Sequence, residues 1–504
     1  MRKNFKWYVL LTLSSVFLIG YLSYKAYSTL TFRDPKEEFR REFTTEEAYN
    51  TYPITSDNLL PIPPLLEDQN PEEGKAEFHL EAQHGKMEFV EGYETNTLGY
   101  NGDYLGPVIR VKRGDEVKIK VQNQLESSTT VHWHGLEVTG EMDGGPHQGI
   151  APNSSWIPEF TIDQAAATLW YHPHLLNLTG EQVYKGLAGL FYIEDKYSES
   201  LDIPKEYGVN DIPLIVQDKR ITDDGQIPYN LSMADQMNGF MGNTVLINGA
   251  ISPQLEVKNE VIRLRILNGS NARSYNFNFT DGTEFYQIAS DGGFLEESIR
   301  MDQLQLAAAE RVEILLDLTE YALGDQLYFR DGNNNLMSIK ITEESDEEGN
   351  IPEKLVEIDE YNREEVIRTR EFVMSGAGPM VAINGKQMDM DRIDEYLALD
   401  ELEEWVVKNE TNGMDMDGGR MTGGMMGMMS SPHPFHVHGV QFQIIERNGQ
   451  EPAPNERGWK DTVMLEEGEE VRLLVKFRKE GLFMYHCHIL EHEDAGMMGQ
   501  FLVE

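Results

Sequence analysis

Apolar and polar residues alternate in short runs along the chain beyond residue 75. VKIKVQ (117–122) and VIRLRIL (261–267) are two of these runs. Alternation with a period of two residues is typical of strands that bury one face and expose the other. Sustained helical periodicity is scarce. The pattern therefore predicts an all-β fold built from half-buried strands.

The alternating runs belong to a threefold internal repeat, in which each copy contains an Asn-Gly pair near its start and closes on an alternating run. The copies are residues 99–125, 246–270 and 382–411. The Asn-Gly pairs begin at 101, 248 and 384. A repeat at this spacing predicts three β-sandwich domains of roughly 140 residues each. Their predicted boundaries are 76–198, 199–350 and 351–504.

The N-terminus has a different hydrophobic pattern. The basic segment MRKNFK leads into an apolar run of 18 residues at 7–24. Positive charge ahead of such a run predicts that the rest of the chain is exported. The run is intermediate in length between a signal-peptide core and a spanning helix. We predict that residues 1–28 are a retained membrane anchor, with a cleaved signal peptide as the alternative.

Residues 29–75 are acidic and rich in proline, which predicts a linker or wrapping arm between the anchor and the first domain. If residues 1–28 direct export, the protein is extracytoplasmic. We expect it to be anchored to the outer face of the cell membrane, or secreted if the N-terminal segment is cleaved.

Charge narrows the choice of partners. The 504 residues include 86 acidic and 43 basic side chains, a formal net charge of −43. Nucleic acid requires a positive surface, so this composition excludes it as a partner. An acidic surface attracts cations, or it serves solubility alone, and both interpretations stay open.

The distribution of histidine indicates a metal site. Ten of the 13 histidines lie in four short motifs, and none lies between residues 175 and 432. The motifs are HWH (132–134), HPH (172–174), HPFHVH (433–438) and HCHILEH (486–492). A shared site would therefore draw on the first and third predicted domains. Histidines two residues apart on a strand project from the same face. Because imidazole binds copper, zinc, iron and nickel alike, these pairs predict a transition metal without naming it.

Cys487, the single cysteine, narrows the choice of metal. On a strand its side chain points away from the two flanking histidines. With His433, His492 and Met497 it supplies two imidazoles, one thiolate and a weak thioether, the ligand set of an electron-transfer copper site. Structural zinc sites more often take two or more cysteines. The remaining eight histidines suffice for three further copper ions.

These motifs resemble those of a known family. HWHG, HPH, HPFHVHG and HCHILEHEDAGMM together resemble the four copper motifs of the multicopper oxidases, over about residues 76–504. They are most similar to the bacterial cuprous oxidases of copper resistance. The resemblance implies three cupredoxin-like Greek-key domains. It also implies laccase-like chemistry, in which oxidation of a substrate is coupled to reduction of O2 to water.

The same resemblance implies four copper ions and their ligands. The type 2 copper would be held by His132 and His436. The two type 3 coppers would be held by His134, His172 and His488, and by His174, His438 and His486. The type 1 copper would be held by His433, Cys487, His492 and Met497. By similarity, Asp143 and Glu493 would relay protons to the trinuclear site, and the alternative is that both are surface acids.

The segment NGMDMDGGRMTGGMMGMMSS (412–431), which we call the methionine segment, ends just before His433. It has no helical or alternating period, which predicts a loop. Thioethers are soft ligands that favour Cu(I). The candidate substrate ligands in this loop are Met414, Asp415, Met416, Met421, Met425, Met426, Met428 and Met429.

Three functions follow from these features. The first, which we favour, is an extracytoplasmic Cu(I) oxidase that serves copper tolerance. The second is a laccase-type oxidase of phenols or of Mn(II) or Fe(II), with the methionine segment as a lid. The third is a copper-binding scaffold without activity, which the complete set of ten histidines and Cys487 argues against. The expected partners are O2, Cu(I) or another small reducing substrate, and the membrane, and we expect a monomer.

Overall fold

The computed structural model describes residue 55 and residues 57–346, 349–410 and 432–504. Strands dominate this part of the chain, which confirms the all-β prediction. The described strands form six sheets in three pairs, and one apolar core fills each pair. We call the pairs the first, second and third sandwich in chain order. The residue boundaries between them stay predictions.

The first sandwich holds the first nine described strands and two short helices. The strands are β1 Lys75–Val90, β2 Tyr93–Tyr100, β3 Ile109–Lys112, β4 Glu116–Asn123, β5 His132–His134, β6 Ser155–Trp156, β7 Glu159–Thr161, β8 Ala167–His172 and β9 Gly189–Glu194, and the helices are α1 Thr179–Tyr184 and α2 Lys196–Ser200. Its sheets have the orders β2-β1-β4-β6, with β7 also beside β4, and β3-β9-β8-β5. In β4 the predicted alternation holds, because Val117, Ile119 and Val121 are buried and the residues between them are not.

The second sandwich holds twelve described strands and one helix. The strands are β10 Asp211–Lys219, β11 Thr244–Ile247, β12 Ala250–Ile251, β13 Gln254–Lys258, β14 Val261–Asn268, β15 Tyr275–Phe279, β16 Phe285–Ser290, β17 Gly293–Met301, β18 Gln303–Leu306, β19 Arg311–Asp317, β20 Gln326–Asp331 and β21 Asn334–Glu343, and the helix is α3 Met233–Asn238. Its sheets have the orders β12-β11-β10-β14-β19-β16-β17 and β13-β21-β20-β15-β18.

Strand β14 departs from the expectation of one exposed face. Every residue of β14 is buried, including Arg263 and Arg265. Arg265 pairs with Asp211 and also donates to the Thr168 hydroxyl of the first sandwich over 2.9 Å. The half-buried prediction for this run was wrong, because the first sandwich covers the polar face and ion pairs satisfy the arginines.

The third sandwich holds the last eleven described strands and one helix. The strands are β22 Arg368–Ser375, β23 Ala382–Ile383, β24 Glu395–Leu397, β25 Leu402–Asn409, β26 His433–Val437, β27 Phe442–Arg447, β28 Trp459–Lys460, β29 Thr462–Leu465, β30 Glu470–Lys476, β31 Gly481–Cys487 and β32 Met498–Val503, and the helix is α4 Leu490–Asp494. Its sheets have the orders β23-β22-β25-β30-β27-β28 and β24-β32-β31-β26-β29. Single-turn 3-10 helices in the second and third sandwiches are Thr280–Gly282, Arg363–Glu365, Gly378–Met380 and Pro454–Glu456.

The described end of the predicted linker lies along two sandwiches. The amide of Leu60 donates to the Gln254 carbonyl over 2.8 Å, at the start of β13. The amide of Leu66 donates to the Val108 carbonyl over 2.8 Å, just before β3. The predicted anchor, residues 1–28, lies outside the described residues. Among the helices that are described, none combines the length and the hydropathy that a membrane crossing requires.

Candidate metal centre

Two strand pairs bring the four histidine motifs together. In the first sandwich β5 runs antiparallel to β8, and His132 is paired with His172. In the third sandwich β26 runs antiparallel to β31, and His436 is paired with His486. Eight fully buried histidines from the two sandwiches form one group, which we call the eight-histidine cluster: His132, His134, His172, His174, His436, His438, His486 and His488.

Three members of the cluster converge as ligands of one metal ion would. The Nε2 atoms of His174 and His486 lie 3.1 Å apart, and that of His438 lies 3.1 and 3.2 Å from them. Metal–nitrogen bonds of about 2 Å give ligand triangles with edges of roughly 3.3 Å. Burial, followed by repulsion between neighbouring imidazoles, lowers the pKa of His174 and His438 well below the ordinary value. Neutral rings with free lone pairs are the form that binds metals.

A second predicted ligand set also meets within the cluster. The Nδ1 atom of His134 lies 3.4 Å from Nε2 of His172. The ring of His488 lies 5.1 Å from that of His134 and 5.3 Å from that of His172, measured between centroids. Both ring nitrogens of His488 are buried without a hydrogen-bond partner among the described residues. His132 is also within ligand distance of His134 and His172.

The predicted type 2 pair joins the two sandwiches. The ring of His132 stacks on His438 at 3.8 Å, and the ring of His436 stacks on His134 at 3.7 Å. The Nδ1 atoms of His132 and His436 lie 3.0 and 2.8 Å from the carbonyls of Asp143 and Asp461. Each Nε2 atom is left buried, without a hydrogen-bond partner in the described chain. Buried polar atoms are rarely unpaired, so these nitrogens fit a metal ion.

A smaller group lies on the other face of β31. Cys487 Sγ lies 3.3 Å from His433 Nδ1 and 3.8 Å from His492 Nδ1, and all three side chains are buried. Met497 is fully buried in the same apolar core, and its carbonyl accepts from the Cys487 amide over 3.0 Å. The His492 Nε2 atom lies 3.1 Å from the Met237 carbonyl, which fixes the ring. We call these four residues the cysteine group.

Burial affects the thiol of the cysteine group. It raises the pKa of the Cys487 thiol above its ordinary value. A bound metal cation reverses this effect, because it stabilises the thiolate. Cys487 faces the third-sandwich core, whereas its neighbours His486 and His488 belong to the eight-histidine cluster. One short stretch of backbone therefore contributes to both groups, as the alternation of strand side chains predicts.

Asp143 and Glu493 are both buried against the cluster, so neither is a surface acid. Asp143 Oδ2 lies 2.8 Å from His438 Nδ1. The Glu493 carboxyl lies 3.5 Å from His174 Nδ1 and 3.3 Å from His486 Nδ1. Burial, followed by repulsion from Asp494, raises the pKa of Glu493 well above its ordinary value.

The sequence did not point to Asp461, which also contacts the cluster. Its Oδ1 atom accepts from His134 Nε2 over 3.0 Å. The neighbouring Thr462 hydroxyl lies 3.3 Å from the same nitrogen. Neither residue belongs to a histidine motif, and no local spacing distinguishes Asp461 from the other 85 acidic residues.

Two short elements that pack against α4, which carries His492, hold methionines that were not singled out in the sequence. Helix α3 carries Met233 and Met237 on one face, and the 3-10 helix Gly378–Met380 packs against α3 and α4. Met233 and Met380 are 54% and 57% exposed. The spacing of methionines at 233, 237 and 241 was a signal available in the sequence. The methionine segment, 412–431, lies outside the described residues.

Comparisons with known proteins identify relatives over most of the chain. Sequence models described as multicopper oxidase match residues 81–198, 218–342 and 352–504. A multicopper oxidase from Staphylococcus epidermidis is 40% identical over 88% of this chain and 92% of its own length. The cell division protein FtsP of Escherichia coli is 36% identical over the same shares of the two chains.

Solved structures agree with this result. The laccase from Pediococcus acidilactici superimposes with a TM-score of 0.83 at 39% identity, covering 91% of this chain and 95% of its own. The multicopper oxidase from Campylobacter jejuni, described as a metallo-oxidase, has a TM-score of 0.76 at 31% identity. That alignment covers 92% of this chain and 98% of the other.

Proposed function

This chain belongs to the multicopper oxidase family, and from that premise we propose that it oxidises Cu(I) to Cu(II) outside the cytoplasm and so serves copper tolerance. The family accounts for the general activity, in which a reducing substrate is oxidised and O2 is reduced. Cu(I) as the substrate, and the cellular role, are the proposal.

The proposal includes four resident copper ions. His132 and His436 would hold the type 2 ion, and the cysteine group would hold the type 1 ion. One type 3 ion would be held by His134, His172 and His488, and the other by His174, His438 and His486. The buried, unpaired imidazole nitrogens support this assignment. Bound there, the copper ions would supply one-electron oxidation of the substrate and four-electron reduction of O2 to water.

The chain's own carboxyl groups supply protons in this scheme. Forming water consumes protons, and the cluster is buried away from solvent. Glu493 is held next to two imidazoles by helix α4, and burial raises the pKa of its carboxyl group above the ordinary value. Asp143 orients His438 through its side chain and His132 through its carbonyl. Glu493 is therefore the proton donor that we propose. Asp143 orients two ligands and is the second member of the proposed proton relay.

The observation that carries Cu(I) as the substrate is the number of methionines in the sequence just before His433 and on the elements that pack against α4. The methionine segment ends two residues before His433. Met233 and Met380 offer exposed thioethers on elements packed around His492. Thioether sulfur selects Cu(I) over harder ions. The description of the Campylobacter jejuni relative as a metallo-oxidase is consistent with a metal ion as the substrate.

The alternative is a laccase-type oxidase of phenols, or of Mn(II) or Fe(II). The similarity to the Pediococcus acidilactici laccase favours it. In that case the methionine segment acts as a lid over the cysteine group, and its sulfur atoms have no role. We propose further that residues 1–28 anchor the protein to the outer face of the membrane and that the protein is a monomer.

Two variants of the methionine segment separate these functions. Replacing its seven methionines by leucine keeps the length and the apolar character and removes the sulfur. Deleting residues 414–429 removes most of the segment together with its sulfur atoms. If the sulfur atoms deliver Cu(I), both variants lose about tenfold in kcat/KM for Cu(I), equivalent to roughly 1.4 kcal/mol.

Phenol oxidation by the same variants is the control. The leucine variant keeps the wild-type kcat/KM for a bulky phenol, because no thioether acts on that substrate. A higher phenol rate in the deletion variant alone indicates that the segment also shields the site. Unchanged Cu(I) kinetics in both variants would contradict the proposal and favour the laccase-type alternative.

A further inference from the structure

The second sandwich contributes no histidine to either group, yet one of its side chains reaches the edge of the eight-histidine cluster. Arg311, the first residue of β19, is fully buried and pairs with Asp461 of the third sandwich. We propose that Arg311 is a positioning residue which, through Asp461, determines the nitrogen that His134 presents to copper. The second sandwich then controls assembly of the copper cluster.

All hydrogen-bond donors of the Arg311 side chain are used. Two of them form a bidentate pair with Asp461, from Nη1 to Oδ1 over 2.7 Å and from Nη2 to Oδ2 over 2.6 Å. The others donate to the carbonyls of Thr168, Ala309 and Asp291 over 3.2, 3.1 and 3.0 Å. A guanidinium group has five N–H donors in a fixed fork. With all five engaged, its orientation is set by three sandwiches at once.

Asp461 passes this orientation on to His134. Its Oδ1 atom accepts from Arg311 and from His134 Nε2 over 3.0 Å, and its Oδ2 atom accepts from Arg311 and from Gln441 Nε2 over 2.9 Å. A carboxylate paired with guanidinium only accepts hydrogen bonds. The Nε2 atom of His134 therefore carries the proton, and its Nδ1 atom keeps the lone pair that faces His172 Nε2 over 3.4 Å.

Gly135, which follows His134, provides independent support. A Cβ atom at this position would lie 2.6 Å from Asp461 Oδ2 and 2.9 Å from Arg311 Nη2. Its φ of +92° is also a value that other residues rarely adopt. Glycine in HWHG therefore leaves space for the ion pair directly behind the ligand strand.

The removal of this ion pair has a specific consequence. Without the guanidinium fork the Asp461 carboxylate loses its two shortest hydrogen bonds, and His134 loses a fixed acceptor. A neutral imidazole then adopts either tautomer, and one of them directs an N–H group at the metal position. Loss of such a partner of a ligating histidine typically weakens metal affinity by about 10- to 100-fold.

The test compares Arg311→Lys with Arg265→Lys. Arg265 is an equally buried arginine on β14, and it forms a bidentate pair with Asp211 over 2.7 and 2.8 Å. It also donates to Thr168 of the first sandwich. The carboxylates that it pairs with, Asp211 and Glu313, form no hydrogen bond or ion pair with a histidine of the described chain. Lysine keeps the charge and removes the fork in both variants. Asp461→Asn is a third variant, which keeps the shape and removes the charge.

The measurements are copper per chain after dialysis, the near-ultraviolet absorption of the coupled copper pair, and the blue absorption of the cysteine group. Arg311→Lys and Asp461→Asn are expected to lose the coupled pair and to keep the blue absorption. Arg265→Lys is expected to keep both. In the copper-free protein, the 15N shifts of the His134 ring are expected to show a mixture of tautomers in Arg311→Lys and Asp461→Asn, and a single tautomer in Arg265→Lys.

Two results would overturn the inference. One is full copper content and an intact coupled pair in Arg311→Lys, or in Asp461→Asn if Arg311→Lys does not fold. The other is an equal loss of the pair in Arg265→Lys, which would make the effect a general one of domain packing. The inference rests on the proposed role of His134 as a copper ligand. Its readout does not involve Cu(I) oxidation, so failure of the proposed substrate leaves this test unaffected.

Discussion

Glu493 is the residue on which the proposed delivery of protons depends. It follows His492 directly in helix α4, and successive helical residues point about 100° apart. His492 therefore contributes to the cysteine group, while Glu493 faces His174 and His486 of the eight-histidine cluster. Its carboxyl oxygens have no hydrogen-bond partner among the described residues. A buried carboxyl group next to two imidazoles is placed to pass a proton to the cluster.

Replacing this carboxyl group tests the role. Glu493→Gln keeps the shape of the side chain and cannot release a proton at any ordinary pH. We expect reoxidation of the reduced, copper-loaded enzyme by O2 to slow by about 100-fold, which is typical of the loss of a general acid. Stopped-flow absorption measures this step separately from reduction.

The reductive half of the reaction provides the control for Glu493→Gln. Reduction by substrate under nitrogen needs no proton at the cluster, so its rate should match that of the wild type. Copper content should match as well. Equal slowing of both halves, or normal reoxidation, would rule out Glu493 as the proton donor.

Individual residues differ in how far the sequence predicts them. The histidines and Cys487 were predictable because their spacing on strands encodes a shared face. Asp143 and Glu493 were predicted through the family resemblance, and both carboxyl groups lie against the cluster. Arg311 and Asp461 carry no such signal, because their contact exists only after the second and third sandwiches pack together.

At the scale of elements, helix α3 packs against helix α4, which carries His492. Ser232 and Asp235 form a capping box at its N-terminus, and the Met237 carbonyl fixes the His492 ring. Gly378 of the adjacent 3-10 helix is close to α3, since a Cβ atom there would lie 3.4 Å from Met237 Cγ. The exposed residues Met233 and Met380 therefore lie on two elements that pack against each other and against α4, which carries His492.

The double variant Met233→Leu, Met380→Leu removes these two thioethers and keeps apolar side chains. We expect about a tenfold rise in KM for Cu(I), because a soft binding position is lost, with little change in kcat. Steady-state kinetics with Cu(I) and with a phenol measure the effect. Met301→Leu, at a residue of β17 that packs partly buried against the core of the second sandwich, is the control. A Cu(I) KM that does not move, or one that moves equally in the control, would remove these methionines from the substrate path.

The sequence predicted the positions of strands more accurately than it predicted which strand faces are buried. The alternation in β4 gave both the strand and its buried face. The same kind of run in β14 gave the strand but not its burial, because charged side chains in ion pairs look solvent-exposed in a sequence. Only the packing of one sandwich on another distinguishes the two cases.

At the scale of the whole molecule, the three sandwiches divide the work. The first and third supply every histidine of the eight-histidine cluster, and the stacked rings of His132 and His438 join them. The second supplies Arg311 behind the cluster and the Met237 carbonyl that contacts His492 of the cysteine group. The whole chain carries a formal net charge of −43, which attracts cations or serves solubility alone.

Oxygen uptake by the copper-loaded protein, with Cu(I) or a phenol as the reductant, tests the central claim most directly. Cys487→Ser is the matched variant, because it removes the thiolate that defines the cysteine group. We predict that the wild type consumes one O2 for every four Cu(I) oxidised, with a higher kcat/KM for Cu(I) than for the phenol. Cys487→Ser should show no uptake beyond that of free Cu(I) in buffer. Equal Cu(I)-dependent uptake by the two proteins, with phenol oxidation by the wild type alone, would contradict the account.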